Sequence, residues 1–125
     1  MNRLLFAASI TGALSVAMGA FGAHGLADQL SIEANGWWET ATLYALVHSV
    51  AALSLALYAA TAQKALPRRA GWAFIIGILF FSGSLYAMAL GSPRWFGAIT
   101  PIGGLGFLCG WIILAIYSLG KKQND

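Results

Sequence analysis

The side chains with chemistry to offer are few, and their spacing gathers them into short stripes. Thr40, Tyr44 and His48 recur at every fourth position, and Ser82 and Tyr86 stand four apart. On an α-helix that spacing stacks side chains on one face. His24 closes the stretch "MGAFGAH" at residues 18–24, and Thr100 precedes Pro101. An imidazole donates, accepts, carries a proton or ligates a metal, and hydroxyls supply both donors and acceptors. His24, Tyr44, His48, Ser82, Tyr86 and Thr100 therefore form the candidate ligand-binding set.

Each of these residues also has a structural use. His24 beside Gly25 can bond the last carbonyls of a helix at a membrane interface. His48 serves equally as a functional group or as an interhelical tie to Tyr86, Ser82 or Thr100. Ser82 and Ser84 are expected to bond back to their own helix. Thr100 before Pro101 reads as an N-cap with proline in the first turn. Glu39, beside Thr40, reads as a carboxylate at the N-terminus of the second helix.

Other chemistry is poorly provided for. Cys109 is the one cysteine, so an intramolecular disulfide is excluded and no CxxC redox pair exists. The chain has no GxxxxGK[ST], HExxH or GxSxG pattern and no acidic cluster suited to a hard metal. No catalytic residue, metal site or cofactor is expected. Haem held by His24 and His48 is a lower-ranked alternative, opposed by a depth difference of about 9 Å at 1.5 Å per residue.

The elements that position these residues are membrane spans. The 125 residues are 59% hydrophobic and 9% charged, against about 25% charged in soluble domains. Four apolar runs, 4–26, 40–62, 70–90 and 97–119, are each long enough to cross about 30 Å of hydrocarbon. Lipid leaves backbone groups without water, so each run is expected to be a helix. The links "QKALPRR" (63–69) and "GSPRWF" (91–96) are short, which makes consecutive helices antiparallel neighbours. The expected fold is all-α, one domain over 1–125, an integral bundle of four transmembrane helices. Arg3 and the small-residue run after it also fit a secretory leader, but the run exceeds the usual leader core of about 7 to 15 residues and is expected to be retained.

Charge gives an orientation. With both termini cytoplasmic, Arg3, Lys64, Arg68, Arg69, Lys121 and Lys122 face inward and Arg94 alone lies outside. The net charge of +3 is thus a topology signal and no sign of nucleic-acid binding. Trp37 and Trp38 are expected to anchor the outer interface beside Glu39. In this orientation the polar residues of all four spans share the outer half, and the inner half is nearly featureless. Gly12, Gly19 and Gly22 on the first span, and Gly103, Gly106 and Gly110 on the fourth, permit close backbone approach. Helices 1 and 4 are accordingly expected to pack tightly, within one bundle or across a dimer.

"GAFGAHGL", "TATLYALVHS", "FSGSLY" and "TPIGGLGFLCGW" follow one another through the four spans. In these motifs the chain resembles the small inner-membrane family typified by YgdD and YwdK, a family defined by a domain of unknown function. The resemblance covers essentially the whole chain. It implies a multi-pass protein of the bacterial inner membrane with no assigned reaction and no catalytic residue to carry over.

Three classes of function follow. The first is a structural or accessory bundle that associates with lipid or a membrane complex. The second binds or transports a small or lipid-like ligand through a polar pocket in the outer half, with His48, Tyr44 and Tyr86 as its hydrogen-bonded centre. The third is the haem protein. The partners expected are membrane lipid and either a second copy or another membrane protein.

Overall fold

A computed structural model describes residues 1–120. The described chain contains four long helices, α1 (Arg3–His24), α2 (Ile32–Ala62), α3 (Ala65–Ala89) and α4 (Thr100–Gly120), with a 3-10 helix at Arg94–Ala98 before α4. All four helical segments are long and apolar enough to cross a membrane.

Helix ends follow local side-chain chemistry. Asn2 caps α1, its Oδ1 accepting from the Leu5 N–H at 3.1 Å, and Ser31 caps α2 by accepting from Ala34 at 3.1 Å. The turn after α2 is only Gln63 and Lys64, because Pro67 is accommodated in the first turn of α3. Arg68 and Arg69 therefore lie on α3 itself. At the other end α3 stops at Gly91, whose φ of +99° suits a residue without Cβ.

Starting α2 at Ile32 corrects two expectations. Glu39 lies inside α2, where it accepts from Asn35 at 3.4 Å, and Glu33 is the acidic residue of the first turn. Trp38 is no interfacial anchor: it is 2% exposed and its indole N–H donates to the Met18 carbonyl of α1 at 2.8 Å. Its neighbour Trp37 is only partly buried, packed against a group formed by Leu26, Ala34, Trp38 and Ala89. The large exposed indole at this end is Trp95, on the 3-10 helix.

The helices pack in chain order, α1 on α2, α2 on α3 and α3 on α4, with a lesser contact of α1 on α3. Within the chain α1 and α4 make no substantial contact, so the in-bundle form of the packing expected from their glycines is not what the structure shows. A small-residue face permits close approach without naming the partner, and both sets are consumed by sequence neighbours. On α1, Gly12 faces Ser49, Gly19 faces Thr42 and Gly22 faces Trp38. On α4, Gly103 lies against the backbone of Phe81, Gly106 against Gly77, and Gly110 against the ring of Phe74. The aromatic insertion is reciprocal across α3 and α4, because Phe107 occupies the space beside Gly77.

Two buried clusters result. One joins Ala8, Ala45, Ala52, Phe74, Ile78 and Phe107 from all four helices. The other joins Leu26, Ala34, Trp38 and Ala89 toward the end that carries the α1–α2 and α3–α4 connections. Arg3, Lys64, Arg68 and Arg69 lie toward the opposite end, while Lys121 and Lys122 fall outside the described residues.

Candidate functional site

The most elaborate polar arrangement is centred on His48 of α2, which is 6% exposed. Its Nδ1 lies 2.8 Å from the Tyr44 carbonyl, and its Nε2 lies 3.2 Å from Nε1 of Trp111 on α4. A carbonyl only accepts and an indole N–H only donates. The neutral ring therefore carries its proton on Nδ1, donates it to Tyr44 and accepts from Trp111.

Aromatic rings complete the enclosure. Phe107 stacks on the imidazole with centroids 3.7 Å apart, and Phe74 makes a T-shaped contact with it at 5.2 Å. Tyr44 stacks at 5.9 Å from the same helix. The two phenylalanines are the ones seated beside glycines of the facing helix, so the close α3–α4 approach also builds the walls around His48. Beside this cluster an open groove of about 540 Å³ is lined by Tyr44, His48, Phe81, Phe107 and Trp111.

The remaining predicted residues are dispersed into separate interhelical ties. Ser82 donates to the Ala41 carbonyl of α2 at 2.7 Å, in place of a bond to its own helix. Tyr86 meets Thr42 at 2.8 Å, and because Thr42 already donates to the Trp38 carbonyl at 2.9 Å, the phenol is the donor. Thr100 meets Ser84 at 2.6 Å. Ser84 donates to the Phe81 carbonyl at 3.0 Å, so the Thr100 hydroxyl donates to Ser84. A helical turn already precedes α4, with the Gly103 N–H bonded to the Ile99 carbonyl, and this leaves no N-cap role for the threonine.

His24 is exposed at the end of α1 and joins none of these groups. Of the six candidates only Tyr44 and His48 line the groove on α4. A second opening of about 520 Å³, between α1 and α2, is lined by Gly19, Gly22, Trp38, Glu39 and Thr42, and by none of the six. The expected centre of His48, Tyr44 and Tyr86 is thus replaced by His48, Tyr44 and Trp111. Trp111 was legible only as part of an aromatic i, i+4 pair with Phe107. That signal ordinarily means packing.

The other half of the bundle is also less plain than its composition. The hydroxyls of Tyr58 and Tyr117 meet at 2.9 Å between α2 and α4, and Asn2 donates to the Ala56 carbonyl at 3.3 Å. Among the described residues no buried side-chain nitrogen or oxygen lacks a hydrogen-bond partner, and no group of three or more metal-ligating side chains forms.

Four apolar helices tied by satisfied polar side chains define a multi-pass protein of the inner membrane. The chain belongs to the family described as "Protein of unknown function (DUF423)", which it matches over residues 18–104, and its relatives carry the name UPF0382. A UPF0382 membrane protein of Haemophilus influenzae is 43% identical over 122 residues, covering 98% of each chain. One from Staphylococcus epidermidis is 43% identical over 95% of this chain and 97% of its own. The UPF0382 inner membrane protein YgdD of Escherichia coli is 35% identical over 97% of this chain and 92% of its own. No solved structure matches the chain.

Proposed function

We propose that this protein is an accessory bundle of the inner membrane that associates with lipid or a membrane complex, its internal polar groups serving to hold the helices in register. The observation that carries the reading is the full use of His48: one ring nitrogen donates to Tyr44 and the other accepts from Trp111. A histidine committed on both sides has no lone pair left for an iron, and it acts as a tie between α2 and α4. The reading includes no cofactor and no catalytic residue. In the proposed orientation both termini are cytoplasmic, which places the Arg3, Lys64, Arg68 and Arg69 end inside.

A second reading takes the groove beside His48 as a berth for a small lipid-like molecule, favoured by its volume of about 540 Å³ and its aromatic walls. Native mass spectrometry of protein gently extracted from its own membrane separates the two. A co-purifying membrane protein or structural lipid supports the accessory reading. A stoichiometric small molecule lost on Tyr44→Ala overturns it in favour of the groove.

A further inference from the structure

At the end of the bundle remote from Arg94, three helices converge on a cavity of about 470 Å³ whose lining includes Asn2, Arg3, Ala56, Ala60, Arg68 and Trp72. Two contacts fix the convergence. Asn2 caps α1 with its oxygen and donates from its nitrogen to the Ala56 carbonyl near the end of α2. Leu4, 2% exposed, fills the space beside Gly71 of α3, where a Cβ would stand 2.6 Å from its Cδ2. Arg3 and Arg68, 65 positions apart in the chain, are thereby carried to one cavity.

Their charge is unbalanced. Among the described residues neither arginine has an ion-pair partner, and the described acids Asp28, Glu33 and Glu39 all belong to the opposite end. An anion entering the cavity would meet two guanidiniums that no carboxylate among the described residues answers. Their planar donor forks suit phosphate oxygens. The wall beside them is apolar, made by small alanines of α2, and Trp72 is 37% exposed, an amphipathic ring of the kind that sits at headgroup level.

We propose that this cavity binds the phosphodiester headgroup of an anionic phospholipid, with Arg3 and Arg68 clamping the phosphate and Trp72 lying beside the upper acyl chain. The site is separate from the His48 cluster, so either proposal can fail alone. It differs from a general positive-inside charge because only two of the four described cationic side chains at this end line the cavity, beside Met1: Lys64 and Arg69 do not.

The test titrates the detergent-purified full-length protein with phosphatidylglycerol or phosphatidylethanolamine and counts retained lipid by native mass spectrometry. One phosphatidylglycerol is expected to be held in preference to the zwitterionic lipid. Arg3→Gln with Arg68→Gln lowers that affinity about tenfold or more, at unchanged melting temperature. Lys64→Gln with Arg69→Gln, an equal loss of charge at the same end, leaves it unchanged. Equal retention of the two lipids, or an equal loss in both double variants, overturns the proposal. Displacement of the lipid by millimolar inorganic phosphate assigns the arginines to a free anion and overturns the lipid assignment.

Discussion

Trp111 donates its indole N–H to Nε2 of His48 across 3.2 Å and 63 positions of sequence, joining α4 to α2 although the two helices share little close backbone contact. The bond also selects the imidazole tautomer, since a ring accepting at Nε2 must hold its proton at Nδ1, where the Tyr44 carbonyl receives it. Trp111→Phe keeps a ring in place and removes the donor, at an expected cost of about 0.6 to 1.7 kcal/mol. His48→Ala costs more, about 2 to 4 kcal/mol, because it also opens a void between Phe74 and Phe107. Reversible unfolding in mixed micelles measures both. A double variant no worse than His48→Ala alone confirms that the two residues act as one unit; full additivity dissolves the pair.

The glycines divide by what stands opposite them. A Cβ at Gly103 would collide with the Phe81 backbone, which cannot turn aside, whereas Gly36 and Gly83 face open space. Gly103→Ala is expected to destabilise the bundle by about 2 kcal/mol or more. Gly36→Ala and Gly83→Ala are expected to be neutral or stabilising by up to about 1 kcal/mol, the helix-propensity gain. Melting temperatures of the three variants in one detergent decide the matter, and a Gly103→Ala protein as stable as the parent refutes the packing argument.

Trp38 ties α1 to α2. Its indole enters where Gly22 has no side chain and reaches the Met18 carbonyl, while its ring lies in an edge-type contact with Tyr86, centroids 4.6 Å apart. Trp38→Ala is expected to cost about 3 to 5 kcal/mol and to loosen α1 ahead of the other helices. Hydrogen exchange read by segment checks this: early exchange confined to residues 3–24 is the expected pattern. Uniform exchange along all four helices contradicts it.

Orientation has its own direct test. In a Cys109→Ser background, Lys64→Cys should be reached by a membrane-impermeant maleimide only after the inner face is opened, and Ser92→Cys from outside in intact spheroplasts. The reverse labelling pattern inverts the assignment of the cationic end to the cytoplasm.

The sequence by itself determined that the protein spans the membrane, with four helices and alternating direction. Length, hydropathy and short links act locally and leave no other way to satisfy the backbone in lipid. It also singled out His48 and the two glycine sets as residues with something to explain. Which groups those residues meet was decided by tertiary structure alone. Helical spacing fixes the face a side chain shares with its own helix and is silent on the rotation and partner of that face. Tyr86, Ser82 and Thr100 therefore went to Thr42, Ala41 and Ser84, and His48 went to the indole of Trp111, which the sequence by itself does not single out. The glycines of α1 and α4 likewise accept any close neighbour, and short connections delivered α2 and α3 to them first. Arg3 and Arg68 were visible as two cations of a positive-inside pattern. Only the packing of Leu4 on Gly71 and the bond from Asn2 to Ala56 made them two sides of one cavity.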